Sequence, residues 1–392
     1  MADDGDAGGE NGHRQSRLFT DDDGDFDAER AREESLPVED GDVVNTDELA
    51  DHQTYLDGRG IYDERNRLND LTGREWKFAT KSVIPEAYPP DLQHDLRSEH
   101  GGQKPPRLCA DLVGRFSKAG ETVLDPFAGV GGTLLGASLC EHEGTGLREA
   151  IGFERNPRWI EVYETALERE NEERRERGEA PLAAQDVHEG DCADLVQDLS
   201  ENSVDLLLAD VPYWDMDERE QTRNRRATRE SKLGAFDADG VDDGDGGSDG
   251  NGDGCNDGDG NGDNAGRRES EREKVSESES DSTNDTTTPH ADSSDQSKAD
   301  WLAEMGDRFA QFARVVKPGR YAVVFIGDMY REQSYAFLAA DLARAIQDAA
   351  PMTLAANLIW YDPSKDLHVY GYPFSFVPSM VHQNVLVFRV DE

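Results

Sequence analysis

The sequence predicts a doubly wound α/β fold, and two observations support that prediction. Apolar, strand-like runs alternate with amphipathic segments of helix length, a pattern typical of a largely parallel sheet covered by helices on both faces. Two short motifs, at 125–132 and 210–214, each follow a strand-like run directly. In open α/β sheets the carboxyl ends of the strands form the ligand-binding edge, so we expect both motifs to lie there.

The predicted sheet has seven strands and ends with an antiparallel strand. The strand-like runs are at 122–124, 150–153, 204–208, 321–326, 354–361 and 384–389, with a weaker run before Gly190. Helical periodicity fills most of the intervals, at 107–118, 133–141, 157–173, 299–316 and 335–348. No helix-length segment separates the last two strands, which favours an antiparallel pairing between them.

Composition divides the chain into four segments. Residues 1–58 are acidic, glycine-rich and poor in apolar periodicity, so we expect them to be disordered. Residues 235–297 consist mostly of Asp, Gly, Ser, Asn and Thr, which predicts an acidic low-complexity insertion that loops out of the fold. Residues 59–234 and 298–392 are then two parts of one domain, and the first part carries both motifs.

The chain is strongly acidic, with 85 Asp and Glu against 41 Lys and Arg and a formal net charge of -44. Such a charge repels nucleic acid at ordinary ionic strength. Either the protein avoids polyanions, or it works in molar salt, where the Debye length is about 3 Å. Because the acidic residues extend through the segments that look folded, and Lys is scarcer than Arg, we interpret the chain as a halophilic protein.

Several other classes of protein are disfavoured. The four cysteines are scattered without a Cys-x-x-Cys pair or a histidine at metal spacing, so we expect neither a disulfide framework nor a metal site. No apolar run is long enough to span a membrane. The acidic N-terminus does not resemble a signal peptide, so the expected location is cytoplasmic.

The first motif has the form of a cofactor-binding loop. A strand ends at Asp125, Gly129 and Gly131 follow, and a helix is expected to start near Thr133. Glycines permit a sharp turn and a close approach of a ligand to the main chain, and the N–H groups of a helix start can face a carboxylate. No Gly-Lys-Ser/Thr sequence follows, which disfavours a phosphate-binding P-loop.

Acidic residues at the ends of the next two strands strengthen this interpretation. Glu154 lies about 25 residues after the first glycine, where an acid commonly holds ribose hydroxyls. Asp191 follows the third strand, where its carboxylate could accept a hydrogen bond from an adenine amino group. The alternative is an ordinary tight strand–helix turn, but two acids at successive strand ends favour the cofactor loop.

The second motif suits an exocyclic amine. The Asp210 carboxylate and a backbone carbonyl near Val211–Pro212 can both accept hydrogen bonds from an NH2 group. Tyr213 and Trp214 can stack on a base that has been extruded from a duplex. Catalysis would then rest on positioning and polarisation rather than on a covalent nucleophile. The alternative is a strand that ends in a proline turn followed by two core aromatics.

A cluster of basic residues follows the second motif, which is unexpected in so acidic a chain. Its members are Arg219, Arg223, Arg225, Arg226, Arg229 and Lys232. We favour a loop that contacts phosphates beside the extruded base, with Arg225 and Arg226 at its centre. The alternative is a solvated segment of mixed charge, because Glu218, Glu220 and Glu230 are interspersed.

Both motifs resemble those of the S-adenosylmethionine-dependent DNA amino-methyltransferases, which methylate adenine N6 or cytosine N4. The run from Asp125 to Gly131, Asp-Pro-Phe-x-Gly-x-Gly, is similar to the cofactor motif of that family, and the run from Asp210 to Tyr213, Asp-x-Pro-Tyr, is similar to its catalytic motif. Residues 100–108 resemble the Lys-Pro segment that helps to bind the methionine part of the cofactor. The resemblance covers most of 66–216 and, more loosely, 301–392.

The resemblance implies a Rossmann-like class I methyltransferase fold, S-adenosyl-L-methionine as cofactor and DNA as partner. With the residues argued above, the predicted site consists of Asp210, Pro212 and Tyr213 as catalytic residues, of Lys104, Asp125, Phe127, Gly129, Gly131, Glu154 and Asp191 as cofactor-binding residues, and of Trp214, Arg225 and Arg226 as substrate-binding residues. Val211 departs from the family pattern, which commonly has a first proline there. The backbone carbonyl is kept, but the rigidity of a proline ring is lost.

Two other functions share parts of this pattern. Methyltransferases that act on guanine N2 of tRNA have similar Gly-rich and Asp-Pro-Pro-Tyr loops, so RNA is the alternative partner. A binding module that kept the cofactor fold without activity is the second alternative, although the intact Asp-x-Pro-Tyr run disfavours it. Methylation of cytosine carbon 5 is not expected, because it needs a cysteine nucleophile and the catalytic loop has none.

Overall fold

The structure is a computed structural model that describes residues 49–212, 297–331, 334–365, 367 and 373–392. The strands are β1 Gln53–Leu56, β2 Gly60–Asp63, β3 Val83–Ile84, β4 Thr122–Asp125, β5 Glu149–Glu154, β6 Asp186–Glu189, β7 Val204–Asp210, β8 Val316–Ile326, β9 Met329–Arg331, β10 Ser334–Ala336, β11 Met352–Tyr361 and β12 His382–Val390. The helices are α1 Gly73–Ala79, α2 His94–Arg97, α3 Pro106–Phe116, α4 Gly132–His142, α5 Pro157–Arg177, α6 Cys192–Leu195, α7 Lys298–Val315 and α8 Leu338–Ala349.

One mixed sheet organises these elements, in the strand order β3-β11-β12-β8-β7-β4-β5-β6. Neighbouring strands are parallel except at β12, which runs antiparallel to both β8 and β11. The predicted fold class, a mostly parallel doubly wound sheet with an antiparallel last strand, is therefore confirmed. Chain order reverses between β4 and β7, and this switch point opens a crevice at the carboxyl edge of the sheet.

The sheet contains one strand more than the seven that the sequence predicts. The additional strand is β3, two residues long, which extends the sheet by pairing in parallel with β11. Two residues are too few to show the alternation by which a strand is recognised in a sequence.

The hydrophobic core lies on both faces of the sheet, because successive side chains of a strand point to opposite faces. Leu207 and Ala209 of β7 belong to a cluster that is covered by α7 and α8. Leu206 and Leu208 belong to a second cluster that is covered by α3 and α4. Gly136 lets α3 and α4 approach closely, because a Cβ there would lie 2.8 Å from the backbone nitrogen of Ala110. The strand that carries the second motif is thus fixed from both sides.

Two local differences from the predicted elements are found. The hairpin of β1 and β2 begins inside 1–58, the segment expected to be disordered, so ordered chain starts earlier than the composition indicates. The small hairpin of β9 and β10 takes up the start of the helix predicted at 335–348, and α8 begins at Leu338. Residues 1–48 and most of the acidic insertion at 235–297 lie outside the described residues, so the domain division stays a prediction.

Within the described ranges, no helix is both long and apolar enough to cross a membrane. The same residues contain no group of three or more His, Cys, Asp or Glu side chains that could hold a metal ion.

Candidate active site

Acidic side chains follow four adjacent parallel strands at the carboxyl edge of the sheet. Asp125 ends β4, Glu154 ends β5, and Asp210 ends β7, while Asp191 follows β6. A cavity opens between β4 and β7. Its lining residues are His100, Gly102, Gln103, Lys104, Asp125, Phe127, Ala128, Gly129, Val130, Gly132, Thr133, Asp210 and Phe325. The structure therefore brings both motifs, and the Lys-Pro segment, to one cavity.

The Gly-rich loop has the backbone conformation that its sequence predicts. Gly129 and Gly131 have φ values of 51° and 75°, in the left-handed region that favours glycine. A Cβ at Gly131 would lie 2.2 Å from the ring of Tyr163, so the residue is fixed by packing as well as by φ. Helix α4 begins at Gly132, directly after this turn, so its first N–H groups start at the cavity.

Glu154 pins the Gly-rich loop through the backbone. One carboxylate oxygen accepts a hydrogen bond from the N–H of Gly129 at 2.9 Å, and the other accepts from the N–H of Asn156 at 2.7 Å. Neither Glu154 nor Gly131 lines the cavity, but both shape the loop that does. Each carboxylate oxygen has a second lone pair, so a ribose hydroxyl could still donate to it.

Asp125 is buried beneath the same loop, with 3% of its surface exposed. It accepts a hydrogen bond from the N–H of Phe127 at 3.0 Å, which closes the turn after β4. Burial raises the pKa of Asp125 to about 7, although hydrogen bonds from Thr133 and Phe127 oppose the shift. Asp125 therefore stabilises the Gly-rich loop from its buried side.

Asp191 has a partner that sequence reasoning missed. Its carboxylate caps α6 by accepting from the N–H of Ala193 at 2.9 Å. The same oxygen accepts from the guanidinium of Arg308, on α7, at 2.9 Å. The hydrogen bond from Arg308 lowers the pKa of Asp191. Asp191 does not line the cavity, and no local sequence signal pointed to Arg308, which is 117 residues away.

The Asp210 carboxylate is held by Lys104. The Lys104 ammonium lies 2.5 Å from a carboxylate oxygen of Asp210, and its side chain is only 8% exposed. The same ammonium lies over the ring of Phe325, 5.3 Å from the centroid. The sequence predicted Lys104 as a cofactor-binding residue through the resemblance. The structure places Lys104 in the cavity, and its ammonium also contacts the carboxylate of Asp210, the proposed catalytic residue.

The residues after Asp210 are held by the core. The Val211 side chain is 2% exposed. The carbonyl of Pro212 accepts a hydrogen bond from the indole N–H of Trp301 at 2.9 Å. Trp301 was not among the predicted site residues. Tyr213, Trp214, Arg225, Arg226 and the other members of the basic cluster lie outside the described residues.

The cavity favours polarisation of a bound group over covalent catalysis. Its residues provide carboxylates, an ammonium and the backbone of a glycine loop, and the lining includes neither cysteine nor serine. The nearby thiol of Cys109 is buried, and burial raises its pKa to about 12, which disfavours the thiolate form that a nucleophile needs.

The sheet has the Rossmann-like fold of class I methyltransferases, with a Gly-rich loop after one central strand and acids after its neighbours. Residues 40–165 match the family model of the N6/N4 DNA methylases. The predicted resemblance is confirmed there. The matched range contains the Gly-rich loop, Lys104 and Glu154, and it ends before Asp210. No curated protein is significantly similar to the chain in sequence.

Several solved structures resemble the chain at low sequence identity. TrmN from Thermus thermophilus is 12% identical, with a TM-score of 0.37, and the match covers 76% of this chain and 52% of that one. A proposed DNA modification methylase from Thermus thermophilus is 13% identical, with a TM-score of 0.26 and coverage of 52% and 51%. A TehB-like SAM-dependent methyltransferase from Corynebacterium glutamicum is 12% identical, with a TM-score of 0.32 and coverage of 76% and 96%. The chain spans about half the length of the first two.

Proposed function

We propose that this methyltransferase uses S-adenosyl-L-methionine to methylate the exocyclic amino group of adenine (N6) or cytosine (N4) in DNA. The observation that supports this most directly is the position of the Asp210 carboxylate, which faces the same cavity as the Gly-rich loop. A hydrogen-bond acceptor for an amine and a loop suited to a cofactor therefore share one space. The family match over 40–165 supports the choice of DNA.

The cavity suits the proposed cofactor. The backbone of Gly129 and the start of α4 would hold its carboxylate end, with the Lys104 ammonium nearby. Glu154 would accept from the ribose hydroxyls, and Asp191, held by Arg308, would accept from the adenine amine. A side chain at Gly131 would collide with Tyr163, so the tight turn is built into the fold. When bound, the cofactor supplies an electrophilic methyl group on a sulfonium.

The residues of the second motif would prepare the amine. The Asp210 carboxylate and the backbone carbonyl of Val211 each accept one hydrogen of the NH2 group, which turns the nitrogen lone pair away from the base. The Asp210 carboxylate would also take up the proton that the nitrogen loses on methylation. Tyr213, which lies outside the described residues, is proposed to stack on the base.

A radiolabelled methyl-transfer assay in molar KCl tests the proposal. DNA and tRNA are offered separately, and nucleoside analysis of the product identifies the base and the position. We expect label in N6-methyladenine or N4-methylcytosine of DNA. Label in tRNA guanine would instead support the RNA alternative. Cofactor binding without transfer to either polymer would support the inactive module.

Asp210→Asn tests the role of the catalytic carboxylate. We expect transfer to fall at least hundredfold while the cofactor dissociation constant stays within about threefold. Asp205→Asn is the matched control, because Asp205 lies at the other end of the same strand and is paired with Lys317 at 2.7 Å. The control should retain transfer. Full activity of Asp210→Asn would contradict the assignment.

A further inference from the structure

One contact from outside the sheet holds the backbone just after Asp210. The indole N–H of Trp301 donates to the carbonyl of Pro212 at 2.9 Å, across a separation of 89 residues. Trp301 is 2% exposed, so the donor of this hydrogen bond is buried. Pro212 has no N–H, so its carbonyl is its one backbone hydrogen-bonding group. The bond therefore satisfies the one backbone hydrogen-bonding group of Pro212.

The anchor of this bond is rigid. Trp301 lies in the first turn of α7, whose N-terminus is capped by the Ser297 side chain accepting from the N–H of Asp300. Phe309 and Phe312 of the same helix are fully buried. Val211 belongs to the same hydrophobic cluster as Trp301, so both residues after Asp210 are fixed to one body of the core.

The backbone carbonyls of Val211 and Pro212 have different roles in this arrangement. The Pro212 carbonyl is directed at α7, where it accepts from Trp301. Under the proposed function, the Val211 carbonyl is the backbone acceptor that works beside the Asp210 carboxylate. A rotation of the peptide plane between Val211 and Pro212 would redirect the Val211 carbonyl, and proximity effects make such small displacements expensive for catalysis.

We propose that Trp301 is a positioning residue for methyl transfer. Its indole N–H fixes Pro212, so that the Val211 carbonyl and the Asp210 carboxylate converge on one amine. The contact restrains the backbone at Pro212, next to position 211, where the family pattern commonly has another proline. This inference rests on the proposed function, and it concerns the orientation of the amine acceptors rather than the choice of base or polymer.

Trp301→Phe tests the proposal, because it removes the N–H donor and keeps an aromatic ring in the core. Trp360→Phe is the matched control. The indole N–H of Trp360 also donates to a backbone carbonyl, that of Glu86, at 3.1 Å. Trp360 is similarly buried, with 9% of its surface exposed. Three quantities are measured for each variant: hydrogen–deuterium exchange of the peptide 204–212, the cofactor dissociation constant, and kcat at saturating cofactor.

We expect Trp301→Phe to raise the exchange rate of 204–212 and to lower kcat about tenfold or more, with a cofactor dissociation constant within threefold of wild type. Trp360→Phe should leave exchange of that peptide and kcat unchanged. Equal effects of the two variants, or an unchanged kcat in Trp301→Phe, would overturn the proposal. So would parallel losses of kcat and cofactor affinity, which indicate general disruption.

A second replacement covers the case in which Trp301→Phe does not fold. Substituting benzothiophene for the Trp301 indole keeps the bicyclic shape and replaces the N–H by sulfur. The same increase in exchange and decrease in kcat are expected, and their absence would contradict the proposal. If the wild type transfers no methyl group, the proposed function fails, while the exchange measurements still decide whether Trp301 holds the segment.

Discussion

The Gly-rich loop and the segment 210–212 face one cavity but are held in different ways. The loop is fixed by residues that are near it in the chain: Asp125 accepts from Phe127, Gly131 donates to the carbonyl of Ala128 at 2.8 Å, and Glu154, 25 residues away, accepts from Gly129. Residues 210–212, the proposed catalytic segment, are fixed by more distant residues, Lys104 at a separation of 106 and Trp301 at a separation of 89. Local bonds define the shape of the first region, and the assembled tertiary structure defines the second.

Because of this difference, we expect substitutions in the two regions to have different effects. Substitutions in the Gly-rich loop should change stability and cofactor affinity together, because the loop is part of the fold. Substitutions in the contacts of the catalytic segment should change the rate of transfer more than the stability. The four predictions that follow test this separation, in order of decreasing expected effect.

The largest effect is expected from Gly131→Ala. The new Cβ would lie 2.2 Å from the ring of the buried Tyr163, at a φ of 75°. We expect a loss of at least about 4 kcal/mol in the free energy of unfolding, and loss of cofactor binding. Denaturant unfolding in molar KCl and calorimetric titration measure the two quantities. Gly120→Ala is the control, because Gly120 has the same φ and no atom within 4 Å. A similar loss in both variants would mean that backbone strain alone accounts for the effect.

A pH-dependent effect is expected at Asp125. Burial raises the pKa of its carboxyl from 3.8 to about 7, so its contribution to stability is fully present below pH 3.8 and is lost as the pH rises through about 7. The free energy of unfolding of wild type, relative to Asp125→Asn, should therefore fall between pH 4 and 7, by an amount on the order of 4 kcal/mol. Unfolding curves at several pH values measure the difference. A pH-independent difference would show that Asp125 is ionised throughout.

Lys104→Met should lower the rate of methyl transfer more than it lowers the stability of the fold. Removing the ammonium leaves the Asp210 carboxylate without its partner at 2.5 Å, so we expect kcat to fall about hundredfold. Lys317→Met removes a similar pair from the other end of β7, where Lys317 lies 2.7 Å from Asp205, and should leave kcat unchanged. Steady-state kinetics and cofactor titration distinguish the effects. A change in cofactor affinity alone would restrict Lys104 to the cofactor role that the resemblance implies.

The smallest effect is expected from Arg308→Gln. Without the guanidinium, the carboxylate of Asp191 is less firmly oriented, and the cofactor dissociation constant should rise about tenfold. Because Arg308 lowers the pKa of Asp191, the loss of cofactor affinity on acidification should also begin at a higher pH in the variant. Arg314→Gln, on the same helix, removes hydrogen bonds to the carbonyls of Val196 and Leu199 and is the control. Identical pH profiles in wild type and Arg308→Gln would contradict the prediction.

The sequence predicts the sheet and the Gly-rich loop well, because both depend on local patterns. The run from Leu206 to Ala209 indicates a buried strand, and β7 is found there. The glycines at 129 and 131 predict the tight turn, and both have positive φ. The hairpin of β1 and β2 was not predicted, although the Asp57-Gly58 pair is a local signal that is typical of a hairpin turn.

The contacts around the catalytic segment could not be predicted in the same way. Trp301 and Arg308 are ordinary members of an amphipathic helix, and nothing in their neighbours indicates a partner across the insertion. Strand β7 carries two aspartates, Asp205 and Asp210. Their position relative to the carboxyl end of the strand distinguished them, but their lysine partners, Lys317 and Lys104, became evident only from the three-dimensional structure.

The hydrogen bond between Pro212 and Trp301 also affects how the free energy of folding depends on the length of the chain between them. It brings together two parts of the chain that residues 213–296 separate. For a flexible connection, the entropic cost of bringing its ends together grows only with the logarithm of length, about 0.6 kcal/mol for each doubling. The free energy of folding should therefore depend only weakly on the number of residues between Pro212 and Ser297.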